Sequence, residues 1–164
     1  MSLFVSIVLG SESDKAKLDE SGMLKVLADL GIGYEVYACS AHRNEKRLGE
    51  YCTEKVKHGV RVFIAIAGLS AALGGSITAK IRGCRPVLAV GLSANSALAD
   101  FAALLATTML PKFAPVNTIG MDKHGLINAA LCAAQILAVS DDELFVKLQG
   151  YIAKNTPEAN LLAM

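Results

Sequence analysis

The sequence predicts an α/β domain in three layers, a doubly wound parallel sheet with helices on both faces. Three observations lead there. The run Val62–Ala67, VFIAIA, is unbroken and apolar, the pattern of a strand buried on both faces of a parallel sheet. Strand-like runs alternate with helical patterns along the chain, the order that right-handed crossovers turn into such a sheet. Three of the apolar runs end in loops of small, hydroxylic or charged residues, and in an open parallel sheet such strand ends meet in one crevice.

Residues 4–9 form the first strand, and a helical pattern with Leu18, Met23, Leu24 and Leu27 covers 14–30, weakened at Gly22 and stopped at Gly31. Residues 34–39 are the second strand and 44–58 a charged amphipathic helix closed by Gly59. After the third strand, 71–81 reads as a helix of small residues. Pro86 opens a fourth strand, 87–90, where its missing amide hydrogen is tolerable. Segment 97–109 is apolar nearly all round, with Asp100 its only charge, so it is expected to be buried, here in an interface between subunits. Pro111 and Pro115 bracket a loop, 116–119 is a short fifth strand, 126–139 an apolar helix, and 141–154 a final amphipathic one. Five strands with these connections give the flavodoxin-like order 2-1-3-4-5. Residues 1–164 are read as one domain, with a core over about 4–154 and a weaker tail over 155–164.

Hydrophobic residues make up 53% of the 164-residue chain, a surplus with no run of about 18 uncharged apolar residues that would cross a membrane. Such a surplus is most simply buried against copies of the same chain, so a homo-oligomer is expected. A formal net charge of +1 offers no electrostatic argument for nucleic acid or an anionic membrane. The chain enters a strand pattern at once, without a signal-peptide start. Cys39, Cys52, Cys84 and Cys132 form no C-x-x-C pair and no metal-ligand cluster; they read as reduced, mostly buried thiols of a cytoplasmic protein.

The loop Gly10-Ser11-Glu12-Ser13-Asp14 joins a strand to a helix, where backbone amides and serine hydroxyls attract an anion such as phosphate. Ser13 or Asp14 also suits simple helix capping, and Asp14 suits sugar hydroxyls better than phosphate. At Ser40-Ala41-His42-Arg43 a titratable imidazole adjoins a fixed cation: Arg43 can grip a phosphate while His42 moves a proton. A surface ion pair and a loop hydrogen bond are the plainer roles for that pair. His58 and His124, at a helix end and in the loop before the long apolar helix, lack such a setting. The third loop, from Gly68 to Gly75, brings no acid, base or metal ligand; its small residues leave backbone open to a flat ring, or serve tight helix-to-sheet packing.

Together these loops resemble one family, the phosphoribosylaminoimidazole carboxylases and carboxyaminoimidazole ribonucleotide mutases of de novo purine synthesis. That family carries G-S-x-S-D after strand one, S-A-H-R or S-A-H-K after strand two and a glycine-rich A-G loop after strand three. Asn128-Ala129-Ala130-Leu131 and Ala134-Gln135-Ile136-Leu137 resemble its last core helix. The resemblance implies formation of 4-carboxy-5-aminoimidazole ribonucleotide without metal or organic cofactor. It also implies a flavodoxin-like subunit in a homo-octamer with sites at subunit contacts, and a closed apolar pocket would help retain carbon dioxide. By this resemblance His42 is the general acid/base. Ser11, Ser13 and Asp14 with Ser40, Ala41 and Arg43 hold the nucleotide, Arg43 on its phosphate, and Gly68, Ser70, Ala71 and Leu73 complete the site.

The mutase branch usually has A-A-H-L-P-G in the third loop, where this chain has Ser70-Ala71-Ala72-Leu73-Gly74-Gly75. Ala72 stands at the histidine position and Gly74 at the proline, which is closer to the branch that carboxylates aminoimidazole ribonucleotide directly. Arg43 and the late helix are closer to the mutases, and M-P-x-G-I-P survives only loosely as Leu110-Pro111-Lys112-Phe113-Ala114-Pro115. Both carboxyl sources stay open. A receiver domain would need an acidic phosphoacceptor where Ala67-Gly68 stands, and a flavin carrier would usually have aromatic cover that these loops lack. A nucleotide-binding paralogue without catalysis is the remaining alternative.

Overall fold

The computed structural model describes residues 4–69, 71–94 and 96–156. Five strands, β1 (Val5–Leu9), β2 (Tyr34–Ala38), β3 (Val62–Ala67), β4 (Val87–Gly91) and β5 (Asn117–Met121), pair in parallel in the order β2-β1-β3-β4-β5. The chain leaves β1 toward β2 on one side and returns to β3 on the other. The sheet therefore reverses its direction of winding between β1 and β3, which opens a crevice at the C-terminal ends of those strands.

Helices α1 (Lys15–Ser21), α2 (Met23–Asp29), α6 (Asp122–Ala138) and α7 (Asp142–Asn155) lie on one side of the sheet, over a core that includes Ile7, Leu9, Ile64, Ile66 and Val90. Helices α3 (Glu45–Lys57), α4 (Leu73–Lys80) and α5 (Ala97–Thr108) lie on the other, over Val8, Phe63, Ala65 and Val87. Every residue of β1, β3 and β4 is buried, because both faces of these strands are covered. Ser6 therefore needs an internal partner. Its hydroxyl meets Tyr51 Oη at 2.7 Å, Tyr51 donates to Glu35 Oε1 at 2.6 Å, and Lys55 Nζ reaches Glu35 Oε2 at 2.8 Å. That chain of contacts ties α3 to the edge strand β2.

Several elements differ from the sequence reading. The helix expected over 14–30 is a 3-10 turn at Glu12–Asp14 followed by α1 and α2, broken where Gly22 takes φ +87. α6 starts at Asp122, so His124 belongs to its first turn and not to the preceding loop. β5 is displaced to Asn117–Met121, with an irregularity opposite Ala89 and Val90. Within the chain α5 fully buries Ala103 and Thr107 and leaves Leu98 and Phe101 exposed, which the expected subunit interface would cover. Among the cysteines Cys39 and Cys52 are buried, Cys132 is half-buried and Cys84 is exposed. Burial pushes the Cys52 thiol up to about 12 and raises Cys39 and Cys132 as well. Of the tail expected over 155–164, Asn155 closes α7, Thr156 caps it, and the remainder lies outside the described residues.

The left-handed break has a direct test. A Cβ on Gly22 would meet nothing within 4 Å, so Gly22→Ala adds backbone strain without a steric clash. The substitution is expected to destabilise the protein by about 1 kcal/mol in urea unfolding.

Candidate active site

The three loops begin at one level because the ladder continues past the strand ends. Gly10 N–H donates to the Ile66 carbonyl at 2.8 Å, Cys39 N–H to Leu9 at 2.8 Å, and Leu92 N–H to Ala67 at 3.0 Å. Above this edge lies a cavity of about 380 Å³. Ser11 and Asp14 enter it from the first loop, Ser40, Ala41, His42 and Arg43 from the second, and Gly68 and Leu73 from the third. Gly10, Ala67 and Leu69 complete the lining. A groove of about 510 Å³ between α6 and α7 is larger, but its walls are mostly apolar and it lies away from these strand ends.

The first loop is held by its own side chains. Ser11 N–H donates to Asp14 Oδ2 at 3.0 Å, while Ser11 Oγ accepts from Ser13 N–H at 3.3 Å and from Ser13 Oγ at 2.8 Å. This reciprocal cap fixes Ser11 and Asp14 at the cavity wall. Ser13 stays exposed and acts on Ser11 and not on the cavity. Capping and lining thus coexist in one loop. Partial burial raises the Asp14 carboxyl above the usual carboxylate range, opposed by the Ser11 amide and by the charge of Lys17.

The second loop is a tight turn. Ser40 Oγ accepts from Arg43 N–H at 3.3 Å and the Ser40 carbonyl accepts from Asn44 N–H at 3.0 Å, which fixes the backbone that carries His42 and Arg43. Both of those side chains are exposed, so an imidazole and a guanidinium face the same open cavity as Asp14. On its far side Arg43 also borders a pocket of about 390 Å³ with Glu12 and Asn44. Within this chain the crevice is open on the side of His42 and Arg43.

The third loop divides the expected residues. Gly68 and Leu73 line the cavity, Leu73 as a buried side chain of the core, whereas Ala71, equally buried, does not reach it. Ser70 lies outside the described residues. Gly74 and Gly75 belong to α4, where a Cβ would stand 3.1 Å from Val116 Cγ1 and 3.0 Å from Leu110 Cδ2. Their small size serves close packing, so of the loop's glycines only Gly68 is part of the crevice. Among the described residues no group of three His, Cys, Asp or Glu side chains is placed to hold a metal ion.

Fold and site together define a flavodoxin-like α/β protein with a small-molecule crevice at its topological switch point, furnished with an acid, an imidazole and a guanidinium. The family model described as AIR carboxylase matches residues 4–158, and the chain belongs to that family. It is 39% identical to the N5-carboxyaminoimidazole ribonucleotide mutase of Haemophilus influenzae, over 93% of this chain and 90% of that protein. The Escherichia coli K12 protein of the same name is 36% identical, over 94% of this chain and 88% of its own length. The crystal structure of Treponema denticola PurE superimposes with a TM-score of 0.76 at 25% identity, covering 93% of this chain and 90% of that one.

Sequence reasoning missed a second layer behind the crevice, formed by Lys17, Ser93 and Asp122. One signal was available. Gly91-Leu92-Ser93-Ala94 at the end of β4 repeats the Gly68-Leu69-Ser70-Ala71 of the β3 end.

The Asp14 carboxyl titrates above its unfolded value, so the folded state holds that proton more tightly. Its ionisation therefore weakens the fold as pH rises through the interval between the unfolded and folded pKa values. Asp14→Asn keeps the shape and an acceptor for the Ser11 amide while removing the charge. The variant is expected to gain stability relative to wild type at pH 7 and to lose that advantage at pH 3, in parallel urea titrations.

Proposed function

We propose that this chain forms 4-carboxy-5-aminoimidazole ribonucleotide in de novo purine synthesis, as one catalytic domain spanning about residues 4–154. The observation that carries the reading is the meeting of His42, Arg43 and Asp14 in one crevice of a chain from this family. The guanidinium of Arg43 suits the nucleotide phosphate, with charge and fork geometry matched to its oxygens. Asp14, held by the Ser11 amide, presents its carboxylate to ribose hydroxyls. Ser11, Ser40 and the backbone at Ala41 and Gly68 frame the ring, and Leu73 forms an apolar floor. Ser13 and Ala71 belong to the same loops, Ser13 bracing Ser11, and the family resemblance adds Ser70 to the substrate-binding set.

In the mutase reaction the N–carboxyl bond breaks, a carbon–carbon bond forms at the ring carbon, and that carbon loses its proton to regain aromaticity. His42 accepts the proton from carbon and returns one to the exocyclic nitrogen, which balances the transfer. In the direct reaction carbon dioxide is the electrophile and the same proton leaves to solvent through His42. Imidazole is suited to both because it gives and accepts protons near neutral pH. Neither route uses a metal or organic cofactor. The isomerase route is favoured by the names of the relatives. Ala72, in place of the mutase histidine, favours the lyase route of a direct carboxylase.

We place the enzyme in the cytoplasm as a homo-octamer. Among the described residues no helix is long and apolar enough to cross a membrane. Leu98, Phe101, Met109 and Phe113 are exposed around α5 and the loop after it, and the crevice lacks a cover within the chain. Burial of these side chains between subunits accounts for both. Sedimentation is expected to give a mass well above the monomer, and Phe101→Glu is expected to shift it toward smaller species.

A paired assay decides the carboxyl source. Purified protein is given either aminoimidazole ribonucleotide with dissolved carbon dioxide or freshly made N-carboxyaminoimidazole ribonucleotide. Turnover of the second alone identifies a mutase, efficient turnover of the first a direct carboxylase, and turnover of neither removes the catalytic reading. His42→Asn is expected to lower kcat at least about a hundredfold while nucleotide binding persists, since general acid–base groups contribute roughly that much. Full activity in that variant would take His42 out of the mechanism.

A further inference from the structure

One polar cluster lies behind the crevice and takes no part in the reaction proposed above. Its centre is Asp122, the first residue of α6, with φ +48 in the left-handed region. Aspartate tolerates that region better than most side chains, and a residue held there needs surroundings that fix it. The surroundings are backbone. Gly120 has φ +145, and a Cβ on Gly125 would stand only 2.7 Å from the Gly120 carbonyl carbon. The turn from β5 into α6 is therefore closed by direct contact of main chains.

From this turn the carboxylate reaches across to the end of β4. Asp122 Oδ1 accepts from Ser93 N–H at 2.9 Å, and Oδ2 accepts from the Ser93 hydroxyl. The Ser93 carbonyl in turn accepts from Lys17 Nζ on α1. One residue thus has its amide, hydroxyl and carbonyl all engaged by two separate helices. A two-point acceptor bond to a carboxylate is stronger and more directional than a single neutral one.

What Ser93 holds is the end of β4, which lies against the backbone at Ala67 and Gly68. The preceding residue, Leu92, donates its amide to the Ala67 carbonyl at 3.0 Å. Its own carbonyl oxygen lies 3.4 Å from where a Cβ on Gly68 would stand. Gly68 is the third-loop backbone that lines the cavity. Lys17 follows Asp14 by three residues, so it lies one helical turn along from the carboxylate on the opposite wall, and its charge acts on that carboxylate.

Taken with the reading of the crevice as a ribonucleotide site, on which it rests, the geometry points to Asp122 as a positioning residue for substrate binding. Through Ser93 it sets the height of Leu92 beneath Gly68, and through the same serine it anchors Lys17 and the helix that begins after Asp14. It does not touch the substrate. A role confined to the N-terminus of α6 would weaken that helix and leave the β3 end unchanged.

The test uses the full chain and two substitutions that both suit a positive φ. Asp122→Gly removes the carboxylate, and Asp122→Asn keeps an acceptor for the Ser93 amide. Amide hydrogen exchange is followed at 67–69 and 92–94, alongside kinetics with N-carboxyaminoimidazole ribonucleotide or, if the enzyme is a direct carboxylase, aminoimidazole ribonucleotide. For Asp122→Gly the expected result is exchange at both segments faster by about tenfold or more, with protection of β1 and of residues 62–66 unchanged. KM is expected to rise about tenfold with kcat within about threefold, and Asp122→Asn to recover most of both losses. Wild-type protection at 67–69 in Asp122→Gly overturns the proposal, as does an unchanged KM in an active enzyme. Should the wild-type protein turn over neither nucleotide, the catalytic reading fails by itself and exchange at 67–69 still decides the clamp. If Asp122→Gly does not fold, Ser93→Ala removes only the hydroxyl bond and is held to the same two criteria, with smaller changes.

Discussion

The site depends on one constraint, the parallel pairing of β1 with β2 on one side and β3 on the other. Leu9 stands opposite both Ala38 and Ile66, so all three chains leave the sheet at the same height and the same edge. Parallel strands require crossovers, and the crossovers here wind in opposite directions from β1, which leaves no helix above the junction. An antiparallel pairing, or a slip of one residue, would send His42 or Asp14 away from Gly68. The chemistry follows from register before it follows from side chains.

Within that frame the loops divide their work between shape and function. Ser13 braces Ser11, Ser40 braces the turn under Arg43, and the small residues of α4 let that helix lie close on the sheet. Residues of the same loops then point their remaining groups into the cavity. This economy explains why a capping pattern and a binding pattern were indistinguishable at the level of sequence: Ser11 and Asp14 close the cap and also line the cavity. It also explains the electrostatic character of the first loop. Asp14 is desolvated enough to resist ionisation, and it is kept serviceable by an amide and a nearby ammonium group.

The open crevice and the exposed α5 have a common origin. A chain with a 53% hydrophobic composition cannot cover all of its apolar side chains with its own polar surface at this size. The leftover lies around α5 and the following loop, where Leu98, Phe101 and Phe113 stand in solvent. The apolar pattern of 97–109 was therefore read correctly as a helix, and its exposed side chains leave the face that was expected to meet another subunit uncovered within the chain. Hydrophobicity in a sequence says that a surface seeks cover, and not which surface supplies it.

By itself the sequence determined the fold class, the strand order, the three crevice loops and the family. These follow from local signals: unbroken apolar runs, alternation of periods, and short loop motifs that keep their spacing. Residues such as His42, Arg43 and Asp14 were legible because they stand in those motifs. Tertiary structure alone decided that Leu73 lines the cavity and Ala71 does not, that Gly74 and Gly75 serve packing, and that Lys17, Ser93 and Asp122 meet. The reason is physical. Side-chain direction at a loop depends on a few backbone angles that many sequences share, and Asp122 reaches Ser93 only because β4 and β5 are neighbours and Gly120 can turn where no other residue would. A contact between residues 29 positions apart leaves no trace in local pattern; it exists once the sheet has been assembled.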